Sequence, residues 1–177
     1  MKMTGLDGTT LGEIVARRRL EVEQAKTRVP VEELEAAAEA RHDVRDFKAA
    51  LRGADLQIVA EMKKASPSSG VLRSDDDYDC AAIAQQYAHA GAAALSVLTE
   101  EGYFLGSLDD IKMARAATAL PVLRKDFIVD PYQVYESAAR GADALLLIVA
   151  ALPDHDLRRL LRLAETLRVA ALVEVHT

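Results

Sequence analysis

The segment IVAEMKKASPSSG (residues 58–70) starts as a short apolar strand, gains one glutamate and two lysines, and then breaks into a Ser/Pro/Gly loop. Because successive side chains on a strand point to opposite faces, Val59, Glu61 and Lys63 share one face. Charges on an otherwise apolar strand are tolerated where the strand ends at solvent. The segment therefore predicts a strand that ends at the floor of a charge-lined pocket, with residues 66–70 on its rim.

Runs of similar apolar, β-branched character recur along the chain and alternate with helical patterns. Asp130 followed by Pro131 is typical of a helix start, and Gly91 and Gly141 stand where helices should end. This alternation predicts βα units and a parallel sheet. The predicted strands lie in residues 57–62, 93–99, 120–129, 142–149 and 169–175, and the predicted helices between them in 78–91, 107–119, 131–141 and 154–167.

Five parallel strands fit either a doubly wound sheet or part of an eightfold barrel. Like Glu61, Lys125 and Glu174 come near the carboxyl ends of predicted strands, and Glu174 shares its face with His176. In a doubly wound sheet such charges must crowd into the crevice where the strand order reverses, whereas in a barrel all inward faces converge on one mouth. The sequence therefore favours an α/β fold of the (β/α)8 TIM-barrel type, with about five βα units in this chain.

The region before the first strand has a different pattern. Residues 11–27 show amphipathic helical spacing, a second helix is predicted to start at Pro30, and a third to stop at Gly53. No long linker separates these helices from the first strand. We therefore predict a helical extension over residues 1–55 and a partial barrel over 56–177.

Composition excludes several classes of function. The net charge of −6 gives no basic face for nucleic acid or a membrane surface. Cys80 is the single cysteine, which favours a reducing, cytoplasmic setting and a packing role, and the histidines show no metal-ligand spacing. The start of the chain does not resemble a signal peptide, and the apolar run 144–152 is too short to span a bilayer.

Several side chains are candidates for chemistry. Lys125 stands in an apolar strand beside Arg124, an environment that suits a general acid or a Schiff-base nucleophile. Glu174 is the one charge in its strand, where a carboxylate is unfavourable unless it is paired or acts as a base. Glu61 and Lys63 are close enough on one face to form a catalytic pair or a simple salt bridge.

Two loops supply the remaining candidates. Ser66 and its neighbours offer hydroxyl and backbone N–H groups that could hold a phosphate or a carboxylate. The pair Tyr103–Phe104 follows the second strand of the βα series, where it would form either an aromatic wall or an anchor for the loop.

Four segments resemble, in order and spacing, the indole-3-glycerol phosphate synthase family: IVAEMKKASPSSG, ALSVLTEEGYFLGSLDDI, LPVLRKDFIVDPYQVYESAARGADALLLIVAAL and ALVEVHT. The helical region before them is similar to the N-terminal extension that this family adds to its barrel. The resemblance implies a carbon–carbon lyase of tryptophan biosynthesis without metal or organic cofactor. Its substrate would be 1-(2-carboxyphenylamino)-1-deoxyribulose 5-phosphate, and its products indole-3-glycerol phosphate, CO2 and water. Other enzymes of the pathway are candidate partners.

The resemblance also implies roles for particular residues. Lys125 corresponds to the general acid that protonates the carbonyl oxygen as the ring closes. Lys63 corresponds to the lysine that engages the substrate carboxylate and protonates the departing hydroxyl. Glu174 is similar to the carboxylate that acts as base or stabilises the iminium intermediate, and Glu61 would assist it. The substrate-binding residues implied in the same way are Ser66, beside anionic groups, and Phe104 and Phe127, around the anthranilate ring.

The length of the chain departs from the family pattern. It has 177 residues, whereas an eightfold barrel needs about 250. We therefore expect a fragment that lacks strands six to eight, and Gly102 stands where the family more often has a longer basic residue. Two alternatives stay open: a barrel lyase of the aldolase type that uses Lys125 as a Schiff base on a sugar phosphate, and a non-catalytic half-barrel that only binds its ligand.

Overall fold

The computed structural model describes residues 8–74 and 77–175, so that His176 and its predicted place beside Glu174 lie outside the described residues. The helices are α1 (Thr10–Arg28), α2 (Val31–Glu39), α3 (Phe47–Ala50), α4 (Cys80–His89), α5 (Asp109–Ala117), α6 (Pro131–Ala139) and α7 (Asp154–Thr166). The strands are β1 (Val59–Met62), β2 (Ala65–Ser66), β3 (Gly70–Val71), β4 (Ala94–Leu98), β5 (Val122–Lys125), β6 (Ala144–Ile148) and β7 (Ala170–Glu174), and a 3-10 turn covers Val149–Ala151.

Local capping explains where the N-terminal helices begin. The Thr9 side chain accepts the N–H of Gly12 at the start of α1, and α2 follows directly on Pro30. The third helix is shorter than predicted, because α3 is a single turn that begins at the Asp46 cap and ends at Ala50, before Gly53.

The main sheet has five parallel strands in the order β1-β4-β5-β6-β7. Each strand pairs with the next main-sheet strand along the chain, whereas a doubly wound sheet would reverse its order at a switch point. This order is that of consecutive strands in a barrel, and it confirms the predicted fold class. Strands β1 and β7 form the two edges of the sheet.

The segment after β1 is more regular than predicted. In place of a simple loop, β2 and β3 form a short antiparallel hairpin in which Ala65 pairs with Val71 and Ser66 with Gly70. Gly70 has a φ of +65°, which glycine adopts without steric cost. Two-residue strands are too short to show an alternating pattern, so they could not be predicted from periodicity.

Strand β5 is shorter than predicted, because it ends at Lys125 and not at residue 129. The apolar residues Ile128 and Val129 are buried in the core cluster that also contains Val15 of α1 and residues of β6, but they lie in an irregular segment and not in the sheet. Their burial in this core accounts for the apolar run that sequence reasoning assigned to a strand.

Helix α3 closes the end of the sheet at which the strands begin. Phe47 is buried in a cluster with Ala94, Leu123 and Ala144, which project from β4, β5 and β6. We call these four residues the floor cluster. Because small side chains leave room beneath the strands for one aromatic ring, the interior is filled here and opens toward the carboxyl ends.

A charged network holds the N-terminal extension to the same end of the sheet. Asp143 is fully buried and accepts hydrogen bonds from the guanidinium groups of Arg41 (2.6 Å) and Arg115 (2.5 Å). It also accepts the backbone N–H groups of Arg45 and Val122, both at 2.9 Å. A buried carboxylate is tolerated when all of its lone pairs are used in this way.

Replacing Phe47 with Ala should destabilise the protein by about 3 to 5 kcal/mol, because it removes a buried ring and leaves a cavity. Denaturant unfolding followed by circular dichroism measures this. The matched control is Lys48→Ala on the exposed face of α3, which should stay within about 0.5 kcal/mol of the wild type. Equal stability of the two variants would contradict the role of the floor cluster.

Protonation of Asp43 in acid should weaken the contacts that join the segment between α2 and α3 to Arg115 of α5. Hydrogen bonds from Arg115 and Arg41 lower the pKa of Asp43 to about 2, below the value of about 3.9 in an unfolded chain. The contribution of this carboxylate to stability is therefore complete above about pH 4 and is lost as the pH falls toward 2. Asp43→Asn should flatten that part of a plot of unfolding free energy against pH, whereas Asp55→Asn on the exposed surface should leave it unchanged.

Candidate active site

One pocket of about 440 Å³ lies at the carboxyl ends of the strands. Its volume falls in the range of about 300 to 1,000 Å³ typical of small-molecule sites. All five strands of the main sheet, or the loops after them, contribute to it, together with the hairpin and the first turn of α1. All seven predicted site residues line it: Glu61, Lys63, Ser66, Phe104, Lys125, Phe127 and Glu174.

A larger cavity of about 640 Å³ lies at the other end of the sheet, between α3, α7 and the start of β7. Its lining includes Asp143, already bonded to Arg41 and Arg115, and Phe47 of the floor cluster. These groups serve to hold the fold together. The smaller pocket, which combines several acids and bases with an apolar wall, is the better candidate for chemistry.

Glu61 joins two lysines at the centre of the candidate pocket. Its Oε1 lies 2.9 Å from Lys63 Nζ and its Oε2 lies 3.8 Å from Lys125 Nζ. The three side chains are each about a third exposed, so that solvent screens their interaction only in part. Glu61 and Lys63 thus form a salt bridge, one of the two arrangements that the sequence predicted, and this salt bridge lies inside the pocket.

Strand register explains why charges far apart in sequence meet here. Leu98 of β4 is level with Lys125 of β5, and Ile148 of β6 is level with Glu174 of β7. Residues that are level on adjacent parallel strands face the same side of the sheet. The inward-facing end residues of successive strands therefore form one ring around the pocket.

Two aromatic rings form one wall of the pocket. The ring centroids of Phe104 and Phe127 lie 6.2 Å apart, with the planes tilted by 41°. Phe104 is held by Glu100, a buried residue whose carboxylate accepts the N–H groups of Gly102, Tyr103 and Phe104 at 2.6 to 3.0 Å. The loop therefore has a charged anchor, and Phe104 is left to face the pocket. Sequence reasoning missed Glu100, because a glutamate in a loop gives no sign of burial.

The hairpin contributes Ser66, which is buried. Its Oγ accepts the N–H of Ser69 at 3.2 Å and lies 3.4 Å from Ser68 Oγ. The N–H of Ala65 donates to the carbonyl of Phe104 at 3.2 Å. The hairpin and the aromatic loop are thus tied together on one side of the pocket.

Apolar residues that sequence reasoning did not single out complete the lining. Leu98, Leu146 and Ile148 come from β4 and β6, and Leu11 from the first turn of α1. Alternation along β6 could have identified Leu146 and Ile148, which lie two residues apart on the inward face. No pattern within α1 indicates which part of the barrel it covers, so Leu11 could not have been found.

Asp126 also borders the pocket, and the sequence analysis gave it no role. Its side chain is fully buried, and Oδ2 accepts Arg18 at 2.5 Å, Thr99 at 2.6 Å and Arg124 at 2.9 Å. Burial acts to raise the pKa of Asp126, but the two guanidinium groups and the Thr99 hydroxyl outweigh it and hold the pKa below its usual value. Asp126 is therefore a buried anion at the exit of β5.

A basic side chain from α1, Arg17, lies beside Gly102. The guanidinium of Arg17 lies 5.8 Å from the centre of the Tyr103 ring. A Cβ atom added at Gly102 would lie 2.1 Å from Arg17 Nη1. Glycine at this position thus leaves room for the Arg17 side chain.

Lys64 and Cys80 lie outside the pocket lining. Lys64 lies over the ring of Tyr78, with Nζ 4.8 Å from the ring centre. Burial raises the pKa of Cys80 to about 12, which keeps the thiol protonated and suits a packing residue. Within residues 8–74 and 77–175, no group of His, Cys, Asp and Glu is placed to hold a metal ion, and no helix is long and apolar enough to cross a membrane.

A parallel sheet whose strands follow chain order, with a charge-lined pocket at their carboxyl ends, defines a protein of the TIM-barrel class. A family model described as indole-3-glycerol phosphate synthase matches residues 11–177. The chain therefore belongs to the indole-3-glycerol phosphate synthase family, as its motifs predicted.

Curated relatives agree with this assignment. Indole-3-glycerol phosphate synthases of Verminephrobacter eiseniae and Polaromonas sp. JS666 are 51% identical over 174 residues and 52% over 170, and each match covers 94% of this chain. The enzyme of Roseiflexus sp. RS-1 is 49% identical over 175 residues, or 95% of this chain. The chain spans 64% of the length of each of these three relatives.

Replacing Glu100 with Ala should loosen the loop that carries Phe104, because three backbone N–H groups lose their acceptor. We expect a loss of about 1 to 3 kcal/mol in unfolding free energy, with faster hydrogen exchange at the amides of residues 102–104. Glu101→Ala, one residue along and exposed, is the control and should change neither quantity. Unchanged exchange in the Glu100 variant would show that its carboxylate does not hold the loop.

Proposed function

We propose that the pocket is the ring-closing and decarboxylating site of an indole-3-glycerol phosphate synthase. The substrate would be 1-(2-carboxyphenylamino)-1-deoxyribulose 5-phosphate, and the products indole-3-glycerol phosphate, CO2 and water. The observation that carries the proposal is the contact of Glu61 with both Lys63 and Lys125 beside an aromatic wall. It supplies a proton donor, a second cation and an apolar surface within reach of one small molecule.

Ring closure requires an acid at the ketone. The aromatic carbon that bears the carboxylate attacks the carbonyl carbon, and the electron pair of the C=O bond moves to oxygen. Lys125, an ammonium in an ion pair, donates a proton to that oxygen. The positive charge then rests on an iminium nitrogen conjugated to the ring, where the carboxylate of Glu174 would stabilise it.

Loss of CO2 follows from that electron deficiency. The electron pair of the bond to the carboxylate flows into the ring and neutralises the iminium, so that no external electron sink is needed. Lys63 would bind the carboxylate before it leaves. In the last step, Lys63 protonates the departing hydroxyl and Glu174, assisted by Glu61, removes the ring proton, which releases water.

The remaining residues would bind and orient the substrate. Phe104 and Phe127 would pack against the anthranilate ring and exclude water, which strengthens the charge interactions beside them. Ser66 would lie beside an anionic group of the substrate. No cofactor enters this mechanism.

We propose a helical extension over residues 1–55 and a barrel portion over 56–177, supported by the position of α1 to α3 before β1. We propose a cytoplasmic location, supported by the protonated, buried Cys80. Other tryptophan-pathway enzymes stay candidate partners.

Activity should be tested on the chain alone and on the chain joined to the C-terminal third of the Verminephrobacter relative. We expect turnover in the joined protein, and Lys125→Met should lower kcat by about 10² to 10⁴-fold, the usual contribution of a positioned acid. Glu174→Gln should also lower kcat. Lys112→Met, on the exposed side of α5, is the control and should leave kcat unchanged.

The joined protein also allows the two alternative functions to be tested. Borohydride in the presence of a keto-sugar phosphate would trap a covalent adduct on Lys125 if it formed a Schiff base, whereas ring closure by proton transfer leaves none. If the joined protein folds and binds substrate without turnover, the lyase proposal fails and a binding module is the better description.

A further inference from the structure

The turn that follows Lys125 and carries Phe127 has no regular structure to hold it. β5 ends at Lys125, and Phe127 follows in an irregular stretch before α6 begins at Pro131. Both side chains face the pocket. An acid and a ring wall must keep their geometry to act on one substrate, so some other interaction has to fix this turn.

Asp126 supplies that interaction from the opposite face of the turn. Its Oδ1 accepts the N–H of Phe127 at 2.8 Å, which fixes the backbone immediately after Lys125. Its Oδ2 accepts Thr99 of the neighbouring strand end and Arg124 of its own strand. The carbonyl of Lys125 accepts the N–H of Thr99 at 3.1 Å, so that Thr99 also joins the ends of β4 and β5 directly.

The fourth partner of Asp126 comes from the N-terminal extension. Arg18 of α1 is buried, and its Nη2 reaches Asp126 Oδ2 at 2.5 Å across 108 residues of sequence. Nη1 of Arg18 is held in turn by Glu21 at 2.9 Å. Bonds between ionised partners shielded from water are among the stronger ones in proteins, so α1 is coupled directly to the turn.

We infer that Arg18 is a positioning residue for the pocket, which acts through Asp126 on the turn that carries Lys125 and Phe127. The catalytic role of Lys125 rests on the proposed function, but the effect of Arg18 on the position of the turn does not. The extension thus has two effects on the pocket: Leu11 lines it directly, and Arg18 fixes two of its functional side chains from behind.

The test uses the 177-residue chain and two readouts that need no turnover. The first is hydrogen exchange at the Phe127 amide, and the second is the rate at which an amine-reactive reagent labels Lys125 relative to Lys48 at fixed pH. In Arg18→Gln we expect both to rise about tenfold, the change that losing one charge-assisted hydrogen bond produces in a local opening equilibrium. Arg18→Lys should restore them in part, because it keeps the charge.

Arg28→Gln, an exposed change in the last turn of the same helix, is the matched control and should alter neither readout. The inference is overturned if Arg18→Gln leaves both readouts at wild-type values, or if Arg28→Gln raises them equally. Should Arg18→Gln fail to fold, Thr99→Val removes another donor to Asp126 at nearly constant volume, and wild-type readouts in that variant would also overturn it. Because neither readout involves substrate, this result is independent of the activity assay.

Discussion

The candidate site depends on one carboxylate between two ammonium groups. Lys63 and Lys125 project into the same confined space, where two cations would repel one another. Glu61 contacts both, and its negative charge offsets this repulsion. Glu174 lines the same pocket, so two carboxylates and two lysines share it and their formal charges sum to zero.

The two ends of the sheet have separate physical tasks. At the end where the strands begin, Phe47 and the buried Asp143 network attach the extension and fill the interior. At the carboxyl ends, the side chains are longer and more polar, and loops and α1 surround them. This division matches the general pattern of barrels, in which one face provides stability and the other provides chemistry.

The sequence was informative where a local pattern decides the structure. Alternation placed Glu61, Lys63, Lys125 and Glu174 on inward faces, and motif resemblance supplied the family. The sequence was less informative where distant segments meet. The apolar run after Lys125 looked like strand because burial in an irregular segment of the core and burial in a sheet require the same residue types. Arg18 and Asp126, 108 residues apart, were given no role from the sequence, since nothing local reveals a partner in another element.

The filled end of the sheet has a consequence for what a bound molecule can touch. Phe47 packs beneath the strands against residues of β4, β5 and β6, away from the strand ends that line the 440 Å³ pocket. Any small molecule that binds in the pocket would therefore meet the hairpin and the aromatic loop, not the floor cluster.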